Sequence, residues 1–125
     1  MSDPDVLVVG GGLGGSMAAL SATAADPEAT VVVLSPREHP FDADAGLVDV
    51  LGYTAGEREP VADPIEAIDD LPVDHPYRRL GTEALRAGLD AFDRATAGSC
   101  AGAHAEENAL VPTAIGGLRP AARYP

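Results

Sequence analysis

The feature that most constrains the fold is a strand-like apolar run that leads directly into a glycine-rich turn. Residues 6–9 read Val-Leu-Val-Val, and a short unbroken apolar run is typical of a parallel strand buried on both faces. Gly10, Gly12 and Gly15 then follow the pattern G-x-G-x-x-G. In this pattern the first glycine allows a tight turn, the second lets the backbone approach a pyrophosphate, and the third allows close helix-to-strand packing. The sequence therefore predicts a dinucleotide-binding turn.

The residues after the glycines support this prediction. Small residues over 16–25 predict a helix, and after the break at Asp26-Pro27 residues 30–34 predict a second β-branched strand. Together they give a β-α-β unit of about thirty residues, the length that the fingerprint requires. The free amides of the first helical turn would hold a phosphate without Lys or Arg, because the helix dipole places about half a positive charge there. A glycine loop without a ligand is the alternative.

The end of the second strand leaves the kind of nucleotide open. The acidic residue expected about twenty residues beyond the glycines would bind a ribose hydroxyl, but Ser35 stands in that place. Ser35 can still bond the ribose, although more weakly. Glu38 follows three residues later, and Arg37 leaves room for a phosphorylated ribose. NAD, NADP, FAD and FMN are therefore all compatible with this strand.

The β-α-β pattern predicts an α/β fold, and the length of the chain predicts that its sheet is incomplete. A doubly wound nucleotide domain usually has five or six strands, and only two are clearly marked in these 125 residues. We therefore expect the front portion of a longer protein, with a Rossmann-like βαβ unit, an incomplete parallel sheet and a helical segment behind it. Residues 1–36 form the dinucleotide-binding βαβ unit, and residues 37–125 are assigned to a loop, a helical segment and short strands of the same domain.

The net charge limits the classes of molecule that the chain is expected to bind. The chain carries 20 acidic against 8 basic residues, a net charge of −12, and all the basic residues are Arg. Such acidity argues against direct binding of nucleic acid or an anionic membrane, since both attract positive surfaces. The absence of Lys on an acidic chain suggests a halophile, since the Debye length falls to about 3 Å in molar salt and self-repulsion is screened. An ordinary acidic soluble protein is the alternative.

The remaining reactive residues suggest neither a metal site nor a catalytic nucleophile. Cys100 is the single cysteine, so we expect it to be a small buried apolar residue. His39, His75 and His104 lack the close spacing of metal ligands. Ser16 stands at the predicted helix start, where it would be a phosphate donor or a cap. No signal peptide or membrane-spanning run is visible, so we expect a cytoplasmic protein.

Residues 36–70 predict a loop followed by a short helix. Over 36–60, Gly, Pro and Asp are scattered around one apolar patch at 46–52, where a short helix or strand is expected. Asp63 can cap a helix that begins at Pro64 and runs to about Asp70.

A longer helix is predicted over residues 76–97, with one apolar face that we expect to lie in the core. This face comprises Leu80, Ala84, Leu85, Ala87, Leu89 and Phe92. Gly98 is placed to end the helix. Residues 110–115 and 116–118 could then pair as short strands about a glycine turn.

Three later blocks resemble one family. Residues 46–52 (Gly-Leu-Val-Asp-Val-Leu-Gly), 75–77 (His-Pro-Tyr) and 111–120 (Val-Pro-Thr-Ala-Ile-Gly-Gly-Leu-Arg-Pro) follow the glycine turn. In order and near-spacing they are similar to the B-subunit of the anaerobic glycerol-3-phosphate dehydrogenase. The resemblance runs the length of the chain. Because members of this family are longer, it implies an N-terminal fragment.

The resemblance implies a flavoprotein subunit that holds FMN, with FAD as a further possibility. In this family it works beside a catalytic FAD subunit and an iron–sulfur subunit. Together they oxidise sn-glycerol 3-phosphate to dihydroxyacetone phosphate and pass electrons to membrane quinone. The chain would lie at the inner face of the membrane through these partners, with no span of its own.

By position, the glycine turn matches the family's flavin-binding loop, and Gly46, Asp49 and Gly52 match its second block. Two departures are visible. The family's serines before Gly46 are Asp44 and Ala45 here, and the last block continues as Arg-Pro-Ala-Ala instead of Arg-Pro-Thr-Trp.

On this basis we predict a set of cofactor-binding residues. They are Gly10, Gly12, Leu13, Gly14, Gly15, Ser16, Ser35, Gly46 and Arg119. Arg119 would supply a fixed positive charge near an anionic cofactor; an ion-paired surface residue is its alternative. Asp49 is expected to cap a helix or turn, and His75 with Tyr77 to start the long helix.

Two other functions stay open beside the dehydrogenase subunit. One is a generic FAD- or NAD(P)-dependent oxidoreductase. The other is an inactive truncated fragment of such an enzyme.

Overall fold

The computed structural model describes residues 3–36, 46–102 and 106–125. The chain divides into two compact units, Met1–Gly46 and Leu47–Pro125. The assignment of both to one cofactor-binding domain stays a prediction.

The first unit is a β-α-β unit. Strand β1 spans Val6–Val9, helix α1 spans Leu13–Ala25 and strand β2 spans Val31–Leu34. The two strands pair in parallel, in a register that runs from Val6 opposite Val31 to Val9 opposite Leu34. The predicted α/β class and the parallel β-α-β connection are therefore confirmed.

Among the residues that the structure describes, α1 covers one face of this two-stranded sheet and the other face is exposed. Val6 and Val8 alternate as half-buried residues with Leu7 and Val9, which are exposed; Val9 keeps 80% of its accessible surface. A Cβ placed on Gly15 of α1 would lie 3.5 Å from the Val8 side chain, so Val8 faces the helix. The prediction that β1 is buried on both faces is wrong for this chain, because α1 packs against one face alone.

The second unit begins with a segment that is neither helix nor strand. Val48 forms an isolated antiparallel bridge with Arg123, and Val50 and Leu51 are buried. A short 3₁₀ helix follows over Glu66–Asp70. The helix was predicted to begin at Pro64 under a cap from Asp63, but it begins at Glu66 with Ile65 as its N-cap. Asp63 still binds the turn before it, since its Oδ1 accepts hydrogen bonds from the amides of Ile65 at 2.8 Å and Glu66 at 2.9 Å.

The predicted long helix is two helices. Helix α2 spans Pro76–Leu80 and helix α3 spans Thr82–Thr96. Gly81 separates them with φ +85° and ψ 151°, a conformation that only glycine adopts easily. The single-helix prediction is wrong because this backbone conformation at Gly81 interrupts the helical hydrogen bonding.

The apolar face of the predicted helix is core only in part. Leu85 and Leu89 pack against the buried cluster, and Phe92 is buried. Leu80 is exposed because the break at Gly81 takes it out of the α3 periodicity. The two alanines of the predicted face, Ala84 and Ala87, are also exposed.

Helix α3 ends slightly earlier than predicted. It stops at Thr96, and both Ala97 (φ +49°) and Gly98 (φ +80°) have positive φ. Cys100, expected to be buried, is only partly buried and is free.

A β-hairpin completes the second unit. Strands β3, over Ala109–Pro112, and β4, over Leu118–Ala121, pair antiparallel. Gly116 has φ +85° in the connecting turn, and the Thr113 hydroxyl accepts a hydrogen bond from the Gly117 amide at 3.1 Å. The predicted strand pair about a glycine turn is confirmed, with the first strand beginning one residue earlier and ending at Pro112. The predicted second strand over 116–118 is wrong, because Gly116 and Gly117 belong to the turn and β4 begins at Leu118.

The core of the second unit joins segments that are far apart in sequence. Its central cluster comprises Val50, Leu51, Ile68 and Ala122. Arg123, the residue after Ala122, is 4% exposed and forms a two-point ion pair with Asp93 of α3. Its Nε lies 2.6 Å from Oδ1 and its Nη2 lies 2.9 Å from Oδ2.

Candidate cofactor site

The glycine turn leaves β1 at the carboxyl end of the sheet. Gly10 has φ +112°, a backbone conformation that L side chains rarely adopt. Its amide donates a hydrogen bond to the Leu34 carbonyl at 2.8 Å, which extends the pairing of β1 with β2 by one bond. The first glycine thus provides the tight turn that the pattern predicts.

The third glycine provides the close packing of helix on strand. A Cβ on Gly15 would lie 1.8 Å from the carbonyl oxygen of Gly10 and 2.9 Å from its carbonyl carbon. Both atoms belong to the backbone, so neither can move aside as a side chain would. Any larger residue at position 15 would therefore separate α1 from the turn.

The amino end of α1 is free to hold an anion. Gly12 is the N-cap, no side chain of the described residues caps the helix, and its first turn contains no acidic residue. The first amides of a helix lack intrahelical acceptors, so the amides of Leu13, Gly14 and Gly15 are suited to bind phosphate oxygens together with the dipole. The helix starts at Leu13 instead of residue 16.

Ser16 therefore has a different place from the one predicted. Its amide donates to the Gly12 carbonyl at 2.9 Å and is part of the helix. The alternative in which Ser16 caps the helix is wrong, because the helix already begins three residues earlier. A role of its hydroxyl as a phosphate donor stays a prediction.

The backbone beside the turn is open at the second glycine of the pattern. A Cβ on Gly12 or Gly14 would meet no protein atom within 4 Å. The second glycine of the pattern therefore leaves its backbone open to a ligand, whereas Gly15 is enclosed by the protein. This difference between the two glycines is what the dinucleotide pattern requires.

Ser35 lies at the same edge of the sheet as the glycine turn. It directly follows β2, as Gly10 directly follows β1, and the two strands run parallel. Because ligands of open parallel sheets bind beyond the carboxyl ends of the strands, this position suits contact with the sugar of a nucleotide. The structure thus brings Ser35 and the glycine turn to one edge.

Sequence comparison agrees with this geometry. The family model for the FAD binding domain matches residues 5–125. The chain belongs to this family. A flavin is therefore the cofactor class of this FAD-binding domain.

Individual relatives confirm the more specific resemblance. The chain is 46% identical over 123 residues to the probable anaerobic glycerol-3-phosphate dehydrogenase B-subunit of Halobacterium salinarum, in each of two strains, and 98% of the chain is covered. It is 33% identical over 93 residues, or 71% of the chain, to the anaerobic glycerol-3-phosphate dehydrogenase B-subunit of Vibrio vulnificus. The Halobacterium relative also fits the halophile suggested by the acidic, Lys-free composition.

The chain spans only part of these relatives. The alignments cover 28% of the Halobacterium proteins and 20% of the Vibrio protein. No solved structure matches the chain.

Arg119 of the FAD-binding domain is engaged in an ion pair. Its Nε donates to Asp49 Oδ2 at 2.6 Å, and its Nη2 contacts the same oxygen. Asp49 was expected to cap a helix or turn, but its carboxylate pairs with Arg119 instead. No helix or strand includes residues 48–52. A role of Arg119 toward the cofactor stays a prediction, as does that of Gly46, which has φ +72°.

The His-Pro-Tyr block starts a helix, as expected. His75 is the N-cap of α2, and its Nδ1 accepts a hydrogen bond from the Tyr77 amide at 3.2 Å. The two rings lie 5.6 Å apart between centroids.

Several residues named from the sequence lie outside the described part of the chain. They are Arg37, Glu38, His39, Asp44, Ala45 and His104. Within residues 3–36, 46–102 and 106–125, no cluster of His, Cys, Asp and Glu is arranged to bind a metal. No helix of these same segments is both long and apolar enough to cross a membrane.

The polar contacts that organise the second unit were not identified from the sequence. Besides the pair of Arg123 with Asp93, the Asn108 side chain donates to the carbonyls of Leu51 and Val61, each at 2.9 Å. These partners are separated by 30 to 57 residues, so no local pattern marks them. The break at Gly81 did have a signal, since many helices end at a glycine, although Gly88 lies within α3.

Proposed function

We propose that this chain is the FAD-binding part of the B-subunit of an anaerobic glycerol-3-phosphate dehydrogenase. The whole enzyme would oxidise sn-glycerol 3-phosphate to dihydroxyacetone phosphate, and the flavin would accept the electrons and pass them toward membrane quinone. The observation that carries the proposal is the glycine turn, in which Gly15 is enclosed while Gly12 faces open space. The substrate is inferred from the similarity to the dehydrogenase B-subunits.

The bound flavin is FAD in this proposal, although the family resemblance by itself implies FMN. The G-x-G-x-x-G turn is suited to a pyrophosphate, which FAD contains and FMN lacks. The FAD-binding family match points the same way. When bound, FAD supplies two-electron chemistry, while the chain's own contribution is to hold the diphosphate on the amides of α1 and the sugar beside Ser35.

The partners and location follow from the same proposal. The relatives are named as one subunit of the dehydrogenase, and the family resemblance implies a catalytic FAD subunit and an iron–sulfur subunit beside it. These partners would hold the chain at the inner face of the cell membrane. Direct nucleic-acid contact is not expected at a net charge of −12.

The first experiment is to identify the cofactor. The complete gene product that contains this chain would be expressed with its neighbouring genes in molar salt, purified and then separated from the partner subunits, and its own visible spectrum and the mass of its released cofactor recorded. A flavin spectrum and the mass of FAD are expected from the separated subunit, and reduction by glycerol 3-phosphate is expected from the assembled complex. The mass of FMN would instead favour the cofactor that the family resemblance implies. A colourless protein that binds NAD(P) or nothing would overturn the proposal.

A matched pair of variants locates the site. Gly12→Ala places a methyl group where no protein atom lies within 4 Å, so the fold is retained while the approach of the pyrophosphate is obstructed. Gly88→Ala makes the same change at another open position, in α3. We expect a marked loss of bound flavin in the first variant and full flavin content in the second. Full flavin content in Gly12→Ala would contradict the assignment of the phosphate to this turn.

A further inference from the structure

We draw no further inference here: the strongest candidate, the apolar surface patch that Leu110, Ile115 and Leu118 expose on the β3–β4 hairpin, carries nothing because no feature of the structure shows what covers it.

Discussion

The two units of the chain are stabilised in different ways. Among the residues that the structure describes, the first unit buries no large side chain, and its elements are held by strand pairing and the packing of α1 on β1 and β2. The second unit has a small core that includes Val50, Ile68 and Phe92. Its segments are joined by an ion pair and by hydrogen bonds between residues far apart in sequence.

The glycine turn depends on backbone geometry, whereas the stability of the second unit depends on side-chain contacts. In the first unit the decisive geometry belongs to the backbone: a positive φ at Gly10, a close approach at Gly15 and open amides on α1. In the second unit the decisive contacts are made by side chains. Substitutions should therefore act locally, through backbone sterics in one unit and through lost polar partners in the other.

The largest effect is expected from Arg123→Met. Asp93 is only 13% exposed, and removing one partner of a buried ion pair costs about 3–5 kcal/mol, because the other charge stays buried and unpaired. Amide hydrogen exchange should show a loss of protection in α3 and β4, while β1 and β2 keep theirs. Equal loss in both units would contradict the comparison.

A double variant is the control for this prediction. Arg123→Met combined with Asp93→Leu replaces the ion pair by apolar side chains, and such replacement is often neutral or stabilising. Protection of α3 and β4 should therefore recover in the double variant. Failure to recover would mean that Arg123 contributes through a contact other than Asp93.

Gly15→Ala tests the first unit. The added Cβ would overlap the Gly10 carbonyl, and overpacking of this kind costs about 1–3 kcal/mol. Exchange protection should fall in β1 and α1 with little change in the second unit, and flavin binding should be lost. Gly88→Ala is the matched control, since Ala in an open helical position is favoured over Gly by about 0.5–1 kcal/mol. Unchanged protection in Gly15→Ala would contradict the close packing.

Asn108→Ala should have a smaller effect within the second unit. It removes the side-chain hydrogen bonds to the Leu51 and Val61 carbonyls, for a total of about 1–2 kcal/mol. The loss should appear as faster exchange near residues 51 and 61. Glu107→Ala, at the exposed neighbouring position, should change stability by less than about 0.5 kcal/mol. Equal effects of the two variants would show that the Asn108 hydrogen bonds do not stabilise the second unit.

The sequence predicted the first unit far better than the second, and the reason is the range of the interactions. Every feature of the glycine turn is local: an apolar run, three glycines and a second apolar run within about thirty residues. Even there the start of α1 was placed three residues late, because glycines at positions 14 and 15 disfavour a helix by propensity alone. The exposure of Leu7 and Val9 could not be predicted either, since a continuous apolar run does not show which of its faces a helix covers.

In the second unit the sequence identified segments but not their connections. The capping role of Asp63 before the 3₁₀ helix and the hairpin about Gly116 were predicted from local signals. Arg123 with Asp93, and Asn108 with Leu51, are pairs that only the folded chain brings together. The role of Ser35 rests on its place directly after β2, and the roles of Gly46 and Arg119 rest on position in the family; all three stay predictions.

Arg119→Ala should have the smallest effect on stability, and it tests directly whether Arg119 contributes to flavin binding. The Arg119 side chain is 51% exposed, so its pair with Asp49 is worth about 0–1 kcal/mol. In molar salt the loss should be smaller still, because the Debye length falls to about 3 Å. Exchange near residue 49 and flavin content would both be measured, with the exposed Arg58→Ala as the control. A small loss of protection with full flavin content would make Arg119 an ion-paired surface residue of the second unit. Loss of flavin with unchanged protection would instead support the sequence-based prediction that Arg119 acts on the cofactor. A residue of the second unit would then contribute to flavin binding as well as the glycine turn of the first.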